Sequence, residues 1–313
     1  MLPLPGFDEL HQRADARSEA ASIAVAGADD PTVIEALGIA LERGWVRPLL
    51  VGPEAGIRAA ARSLSVELDG MRILHAEADE VAPAAVAEVR AGRARALMKG
   101  QIATPALMKA VLDASYGLRT GRVICQVVLM EIPRDHRRFL MADTGITVQP
   151  SREDKADILR SSVSVAHALG VALPRVALVA ATETVKSAMP ETVDAHELTS
   201  RHEQGEFASC LIQGPLSFDL AYAQVAGDKK RIGGTVVGAA DVMVFPDLLS
   251  ANLTVKAIMY TADCRFGGVL GGTAAPVVFM SRADSPQTRL NSLALTLSIL
   301  DCDRAVPKSD AIH

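Results

Sequence analysis

Residues 241–256 read Asp241-Val-Met-Val-Phe-Pro-Asp247-Leu-Leu-Ser250-Ala-Asn252-Leu-Thr-Val-Lys256. A short apolar run stops at a Pro-Asp pair, and a polar turn then leads into a helical pattern. This order predicts a buried strand, a loop and a helix. Because ligands of open parallel sheets bind at the carboxyl ends of strands, where such loops lie, this loop is a candidate binding site. It offers a carboxylate, a hydroxyl, an amide and, one helical turn later, an ammonium group: Asp247, Ser250, Asn252 and Lys256.

A second polar turn farther along the chain has the same form. The apolar run Pro276-Val-Val-Phe-Met280 leads directly into Ser281-Arg282-Ala-Asp284-Ser285. Two polar turns, each at the end of a predicted strand, indicate one site for an anionic substrate.

The composition favours an α/β protein. A length of 313 residues favours two domains that share a cleft over a single domain. Hydrophobic residues make up 49% of the chain but aromatic residues only 4%, so the cores must consist of Ala, Val, Leu and Ile. Such residues suit parallel sheets covered by helices. The net charge of -5, without a large basic block, argues against nucleic acid and anionic membrane surfaces as partners.

The cysteine spacing and the hydropathy point to a cytoplasmic protein without a bound metal. The four cysteines are widely separated and form no C-x-x-C pair, so neither structural zinc nor a disulfide framework is expected. No stretch approaches the ~20 apolar residues of a membrane span, and no signal-peptide pattern is recognised.

Apolar runs alternate with helical patterns along almost the whole chain. Asp30 followed by Pro31 is typical of a helix start. Two β-rich runs, 123–132 and 138–143, predict an antiparallel hairpin, and we expect a domain boundary just after it, near Pro150. Repeated βα units with short connections imply an α/β fold with right-handed crossovers. The other predicted strands are 22–27, 48–52, 96–98, 176–181, 210–213, 242–245, 268–270 and 277–280, and the predicted helices include 31–43, 105–113 with Thr104 as its cap, 153–169 and a last helix from Ser285.

Polar or glycine-rich turns follow six of the predicted strands, but the sequence lacks the standard nucleotide and hydrolase motifs. It contains no P-loop, no G-x-G-x-x-G after the first strand and no G-x-S-x-G elbow. The glycine-rich segment 267–273 is interpreted either as a close-packed strand with a flexible turn or as a phosphate contact. The six turns are Lys99-Gly100, Asp143-Thr144-Gly145, Thr182-Glu183-Thr184, Gln213-Gly214-Pro215, Pro246-Asp247 and Ser281-Arg282.

Five sequence elements, taken together and in chain order, carry a family resemblance. The most specific are Pro246-Asp247-x-x-Ser250-x-Asn252-x-x-x-Lys256 and Ser281-Arg282-Ala-Asp284-Ser285. With them, the chain resembles the phosphate acetyltransferase/phosphate butyryltransferase family over nearly its whole length, and residues 281–294 are closer to the butyryltransferase branch. The supporting elements are Lys99-Gly100 with Thr104, Leu118-Arg119-Thr120-Gly121-Arg122 and Gly214-Pro215-Leu216-Ser217-Phe218-Asp219.

This resemblance implies a reversible reaction in which acyl-CoA and phosphate give acyl phosphate and CoA, with CoA as a substrate and no cofactor. It also implies homodimers of chains with two α/β/α domains, mainly parallel sheets and an active site in the interdomain cleft, an isocitrate/isopropylmalate dehydrogenase-like arrangement. In such folds the last helix returns to the first domain. The expected domains are therefore residues 1–150 plus 285–313, and residues 151–284.

The residue types suit this chemistry. A guanidinium binds phosphate oxygens in a bidentate manner, so Arg282 is the first candidate partner of the phosphate group. The CoA thiol must lose a proton before it attacks, and Asp247 or Asp284 is available as the base. Ser281, Asn252 or a backbone N–H can donate to the tetrahedral oxyanion. The further candidates for binding CoA or phosphate are Lys99, Thr104, Arg119, Arg122, Ser250 and Lys256.

Structural interpretations of several of these residues stay open. Asp247 is equally typical of a helix cap, and Asp284 and Ser285 are natural caps for the last helix. Arg119 and Arg122 either bind CoA phosphates or lie on a solvated loop.

One departure from the family pattern concerns the base. The acetyltransferase branch has an acidic residue several positions beyond the Ser-Arg pair, where this chain has Pro286-Gln287-Thr288-Arg289. Asp284 is the candidate replacement.

Two other functions are weighed against acyl transfer. One is a two-domain dehydrogenase that uses a nicotinamide and a divalent metal, for which we find no aspartate cluster, and the other is a non-catalytic sensor of acyl-CoA or acyl phosphate.

Overall fold

The computed structural model describes residues 3–279 and 281–305, which fold as two compact units. The central unit comprises the residues up to Gly6 and Val123–Phe266. The flanking unit comprises Phe7–Arg122 and the residues from Gly267 onward. Each unit combines strands and helices, so the α/β prediction is confirmed.

Strands and helices alternate through both units. In chain order the strands are β1 (Ala21–Ala26), β2 (Val46–Gly52), β3 (Arg72–His75), β4 (Ala96–Lys99), β5 (Cys125–Ile132), β6 (Arg137–Ala142), β7 (Arg175–Val179), β8 (Leu211–Leu216), β9 (Val242–Val244), β10 (Arg265–Gly271) and β11 (Val277–Val278). The helices are α1 (Phe7–Asp15), α2 (Pro31–Glu42), α3 (Glu54–Leu64), α4 (Val81–Arg90), α5 (Thr104–Val111), α6 (Arg152–Ala168), α7 (Pro190–Glu203), α8 (Phe218–Tyr222), α9 (Gln224–Lys230), α10 (Leu248–Thr261) and α11 (Pro286–Ala305). Among the described residues, no helix combines the length and the apolar character needed to cross a membrane.

The flanking unit contains a mainly parallel sheet. β1 lies between β2 and β4, β3 pairs with β2, and β11 pairs with β4, all in the parallel sense. β10 pairs with β11 in the antiparallel sense. β1 and β4 are almost entirely buried runs of Ala, Ile, Leu, Val and Met, as expected for parallel strands covered on both faces.

The central unit builds its sheet beside the predicted hairpin. β5 and β6 pair in the antiparallel sense, which confirms that prediction. β6 pairs with β9, β9 with β7, and β7 with β8, all in the parallel sense. The core between this sheet and its helices is again largely aliphatic, with Phe139 at its centre packed edge-on against Phe218 and Tyr222.

Helix α2 starts as the sequence predicts. The side chain of Asp30 accepts hydrogen bonds from the backbone N–H groups of Thr32 and Val33 at 3.0 and 3.2 Å, and Pro31 occupies the first turn. The cap supplies an acceptor to N–H groups that have no partner inside the helix.

Two local predictions differ from the structure. Thr104 is the first residue of α5 rather than its cap, because the cap position is Ala103 and no side chain bonds the helix start. Strand β3 was not foreseen, because its residues are exposed or half-buried and lack a clear apolar run.

The compact units differ in their bounds from the predicted domains. β5 and β6 precede residue 150, but β6 pairs with β9, so the hairpin belongs to the central unit. Residues 267–284 belong to the flanking unit, because β11 pairs with β4. Met280, the predicted end of strand 277–280, and residues 306–313 of the predicted first domain lie outside the described residues.

Candidate active site

The carboxyl ends of three neighbouring strands of the flanking unit meet at one edge of its sheet. Ala26, the last residue of β1, is paired with Lys99, the last residue of β4. Val278 of β11 is paired with Met98 of β4, so the polar turn after β11 begins close to Lys99. This is the edge at which open parallel sheets bind ligands.

Close backbone contact joins the loops that follow β1 and β4. The backbone N–H of Gln101 donates to the carbonyl of Gly27 at 2.7 Å. A Cβ atom at Gly100 would lie 2.1 Å from the same carbonyl oxygen, so any side chain at this position would collide with backbone. Glycine is therefore required immediately after Lys99.

Lys99 is a buried cation at this edge. The residue is 2% exposed, and no hydrogen bond of its ammonium group is found in the part of the chain that the structure describes. The pKa of Lys99 is lowered from its usual 10.5 to about 8, mainly by burial and also by the positive charges of Arg289 and Arg282. Asp284 acts in the opposite direction. Lys99 thus lies in a cluster of three cations and one carboxylate.

The turn after β11 is closed by its own carboxylate. The backbone N–H of Ser281 donates to Oδ2 of Asp284 at 2.9 Å. Burial raises the pKa of Asp284, although the Ser281 N–H, Arg289 and Lys99 all favour the ionised form. A carboxyl group with a raised pKa is a better proton acceptor near neutral pH than an ordinary aspartate. Arg282, in the same turn, is exposed.

Ser285 has the capping role that the sequence left open. Its Oγ accepts a hydrogen bond from the backbone N–H of Thr288 at 3.2 Å, at the start of α11. Asp284 instead directs a carboxylate oxygen back to Ser281.

The other specific polar turn lies in the central unit. Asp247 is the N-cap of α10, and its Oδ1 accepts from the backbone N–H of Ser250 at 2.8 Å. The hydroxyl of Ser250 donates back to the Asp247 carbonyl at 3.0 Å. The capping interpretation of Asp247 is therefore confirmed.

Asn252 connects α10 to the turn that follows β6. Its Nδ2 donates to the carbonyl of Thr144 at 3.0 Å. In that turn the buried carboxylate of Asp143 accepts from the backbone N–H groups of Gln126, Gly145, Ile146 and Thr147. Burial raises the pKa of Asp143, and the four N–H groups oppose that shift. Asp143 is thus a fully bonded structural group that fixes the turn.

The candidate residues divide between the two units. Lys99, Arg282 and Asp284 are close enough within the flanking unit for their charges to interact. Arg119 and Arg122 are exposed, and their segment is attached to the turn after β10, where Oγ1 of Thr120 donates to the Gly272 carbonyl at 2.7 Å. The flanking unit holds Lys99, Thr104, Arg119, Arg122, Ser281, Arg282 and Asp284, and the central unit holds Asp247, Ser250, Asn252 and the exposed Lys256.

The glycine-rich segment 267–273 is a close-packed strand for most of its length. A Cβ atom at Gly267 would lie 2.9 Å from the backbone nitrogen of Ser292. The N–H of Gly268 donates to Oγ of Ser292 at 2.9 Å. Of the two interpretations, close packing against α11 explains these glycines.

Arg289 is the residue that sequence reasoning missed. It is fully buried in the second turn of α11, although a helical arginine is usually solvated. Two signals were available: Arg289 directly precedes the buried stripe that begins at Leu290, and it lies where the family pattern has an acidic group.

Comparison with known proteins adds independent information. Residues 78–297 match the family described as "Phosphate acetyl/butaryl transferase". A phosphate butyryltransferase of Clostridium acetobutylicum is 34% identical over 93% of this chain and 97% of that protein. A phosphate acetyltransferase of Thermotoga maritima is 37% identical over 90% of this chain and 96% of that protein. The crystal structure of a branched-chain phosphotransacylase from Enterococcus faecalis superposes with a TM-score of 0.79 and 27% identity, covering 90% of this chain and 99% of that chain.

Substitution of Asp247 separates capping from catalysis. Asp247→Ala removes the acceptor at the start of α10 and should lower the free energy of unfolding by about 1 kcal/mol. Asp247→Asn keeps a capping oxygen and should retain wild-type stability. Urea denaturation measures both. An Asn variant as unstable as the Ala variant would contradict capping, and a stable Asn variant that loses turnover would reveal a catalytic carboxylate.

Proposed function

Because this chain belongs to the phosphate acetyl/butaryl transferase family, we propose that it transfers a short-chain acyl group reversibly between CoA and inorganic phosphate. Acyl-CoA and phosphate give acyl phosphate and CoA. The observation that carries the proposal is the cluster of Lys99, Arg282 and Arg289 at the strand ends of the flanking unit, beside the carboxyl group of Asp284. As the transferred acyl group, we favour butyryl slightly over acetyl.

Phosphate binding falls to the cations of this cluster. Arg282 is exposed and keeps its guanidinium available for two phosphate oxygens. Lys99 adds a second positive charge from a buried position, where electrostatic attraction is less screened than in water. In the forward direction the bound phosphate oxygen attacks the thioester carbonyl, and in reverse phosphate is the leaving group.

Asp284 is the better of the two candidate bases. In the reverse reaction a base removes the thiol proton of CoA, and the conjugate acid returns it to the leaving thiolate in the forward direction. Asp284 interacts electrostatically with Lys99, and its pKa is raised by burial. Asp247 is occupied as a helix cap.

The tetrahedral intermediate needs donors for its oxyanion. The hydroxyl of Ser281 is exposed next to Arg282, which suits this role. Asn252 uses one amide proton to bond the Thr144 carbonyl and has a second proton left.

For the phosphates of CoA, we infer roles for the remaining polar candidates: Thr104, Arg119, Arg122, Ser250 and Lys256. An interdomain cleft of the dehydrogenase-like kind stays a prediction.

Release of free thiol from acyl-CoA tests the proposed function directly. Acetyl-, propionyl-, butyryl- and longer acyl-CoA are incubated with the enzyme, with and without phosphate, and with no metal or nicotinamide added. We expect release that depends strictly on phosphate, and the best chain length identifies the acyl group. Binding of acyl-CoA without release would favour the sensor instead, and a requirement for nicotinamide and metal would favour a dehydrogenase.

Replacement of Arg282 tests its role at the phosphate. Arg282→Ala should lower phosphate-dependent turnover by about tenfold or more, because a charge partner of the transition state is lost. Arg90→Ala is the matched control, since Arg90 is an exposed arginine at the end of α4. Initial rates at saturating acyl-CoA measure both. Near-normal turnover of Arg282→Ala would contradict the assignment.

We also propose that the enzyme is a homodimer, and helix α10 offers a surface for it. Leu249, Leu253 and Tyr260 lie on one face of this helix and are 69%, 60% and 83% exposed. Exposed apolar faces of this kind mark protein interfaces. Lys256 shares the face, where its stem can pack while its ammonium stays in water.

Sedimentation velocity measures this association. The wild type should sediment as a dimer, and Leu253→Lys should shift it toward monomer, whereas Val225→Lys, at an exposed apolar position on α9, should not. A wild-type monomer at all concentrations would contradict the dimer.

A further inference from the structure

The guanidinium of Arg289 makes a hydrogen bond at its Nε end and none at its two terminal nitrogens. Its Nε donates to Oγ1 of Thr32 at 3.1 Å. The two terminal nitrogens, Nη1 and Nη2, are buried and have no hydrogen-bond partner among the described residues. A buried donor without an acceptor destabilises the folded protein, and the cost is larger for a charged group. Such a fork is expected where a ligand supplies the missing oxygens.

Other buried guanidinium groups differ from Arg289. Arg17 bonds the carbonyl of Leu297 through Nη1 and pairs with Asp301, and Nε is its one buried nitrogen without a partner. In Arg137, Nε is likewise the buried nitrogen without a partner, and Nη2 donates to the Ala240 carbonyl at 3.4 Å. Within the described ranges, Arg289 is the buried arginine whose two terminal nitrogens both lack a partner.

The carboxylates near Arg289 do not fully compensate the positive charges around it, which favours the binding of an anion. Lys99 and Arg282 add positive charge to the cluster, and Asp30 and Asp284 attract the guanidinium. Both carboxylates already accept other hydrogen bonds, Asp30 from the start of α2 and Asp284 from Ser281. Burial lowers the pKa of Arg289, as expected for a charge that its surroundings do not fully compensate.

We propose that Arg289 is a second guanidinium of the phosphate subsite, where its Nη1–Nη2 fork binds two phosphate oxygens beside Lys99 and Arg282. The inference rests on the proposed function, which makes phosphate a substrate. A planar fork suits the oxygens of a phosphate group better than a point charge does.

Local bonds orient this fork. Oγ1 of Thr32 donates to the carboxylate of Asp30 at 2.5 Å and accepts from Nε of Arg289, so the start of α2 holds one side of the guanidinium. Both terminal nitrogens of the fork are shielded from solvent, so the side chains around them must move for an anion to reach it.

Steady-state kinetics test the assignment. Arg289→Gln and Arg289→Met should raise the KM for phosphate by about tenfold or more, while the KM for acyl-CoA changes by less than about twofold. Arg289→Lys keeps the charge without the fork, so its KM for phosphate should lie between that of the wild type and those of the two neutral variants. Arg17→Gln is the control, because it removes a buried arginine that already has partners. An unchanged KM for phosphate in folded Arg289→Met would overturn the assignment.

Thermal unfolding provides a readout that does not depend on turnover. Added phosphate, or sulfate as a non-reactive analogue, should raise the Tm of the wild type and have little effect on Arg289→Met. Without anion, Arg289→Met should be as stable as the wild type or more so, because an uncompensated buried charge is removed. A purely structural arginine predicts the opposite: a lower Tm and an unchanged response to phosphate.

The two measurements separate the possible failures. Wild-type protein that releases no thiol in the presence of phosphate would contradict the proposed function, whatever Arg289 does. Normal turnover with an unchanged phosphate response in Arg289→Met would remove Arg289 from the subsite and leave acyl transfer intact. If the neutral variants fail to fold, Arg289→Lys decides, since a wild-type KM for phosphate without the fork would overturn the proposal.

Discussion

Buried positive charge without a partner is the constraint on which the candidate site depends. Lys99 is 2% exposed and Arg289 is fully buried. Neither the ammonium group of Lys99 nor the terminal fork of Arg289 has a hydrogen-bond acceptor in the described structure. Hydrophobic side chains of similar volume would suit the same positions better if stability alone mattered. Two such groups in one cluster are therefore best explained by a ligand of opposite charge, and strain of this kind is typical of functional sites.

The parallel sheet of the flanking unit brings these charges together. Pairing of β1 with β4 and of β4 with β11 makes three loops leave the sheet at the same edge. Gly100 allows the first two loops to touch, and α11 then packs so that Arg289 reaches Thr32 at the start of α2. Residues far apart in sequence thus meet because strand order fixes where each loop emerges.

The sequence was sufficient for most of the strands and helices, and it proposed the exposed polar turns as candidate site residues. Buried runs such as residues 96–98 and the cap at Asp30 are local signals, and the Ser281-Arg282 turn follows directly from the end of an apolar run. Arg289 could not be found in this way, because its burial depends on tertiary contact with α2. The bounds of the compact units also differ from those of the predicted domains, because pairing between β6 and β9 joins segments that are distant in the chain. Asp247 shows a third case, in which one local pattern fits both a cap and a base and only the hydrogen bond to Ser250 separates them.

The pKa of Lys99 links the stability of the empty protein to its affinity for anions. Because this pKa is about 8 in the folded protein and 10.5 ordinarily, the unfolded chain binds more protons between these values. Stability of the empty protein therefore rises with pH through this window, and at lower pH the folded state carries an unfavourable buried ammonium. An anion beside Lys99 has the opposite effect, since it favours the charged form and raises the pKa. The same buried charges thus weaken the empty fold and strengthen anion binding, so one physical feature accounts for both.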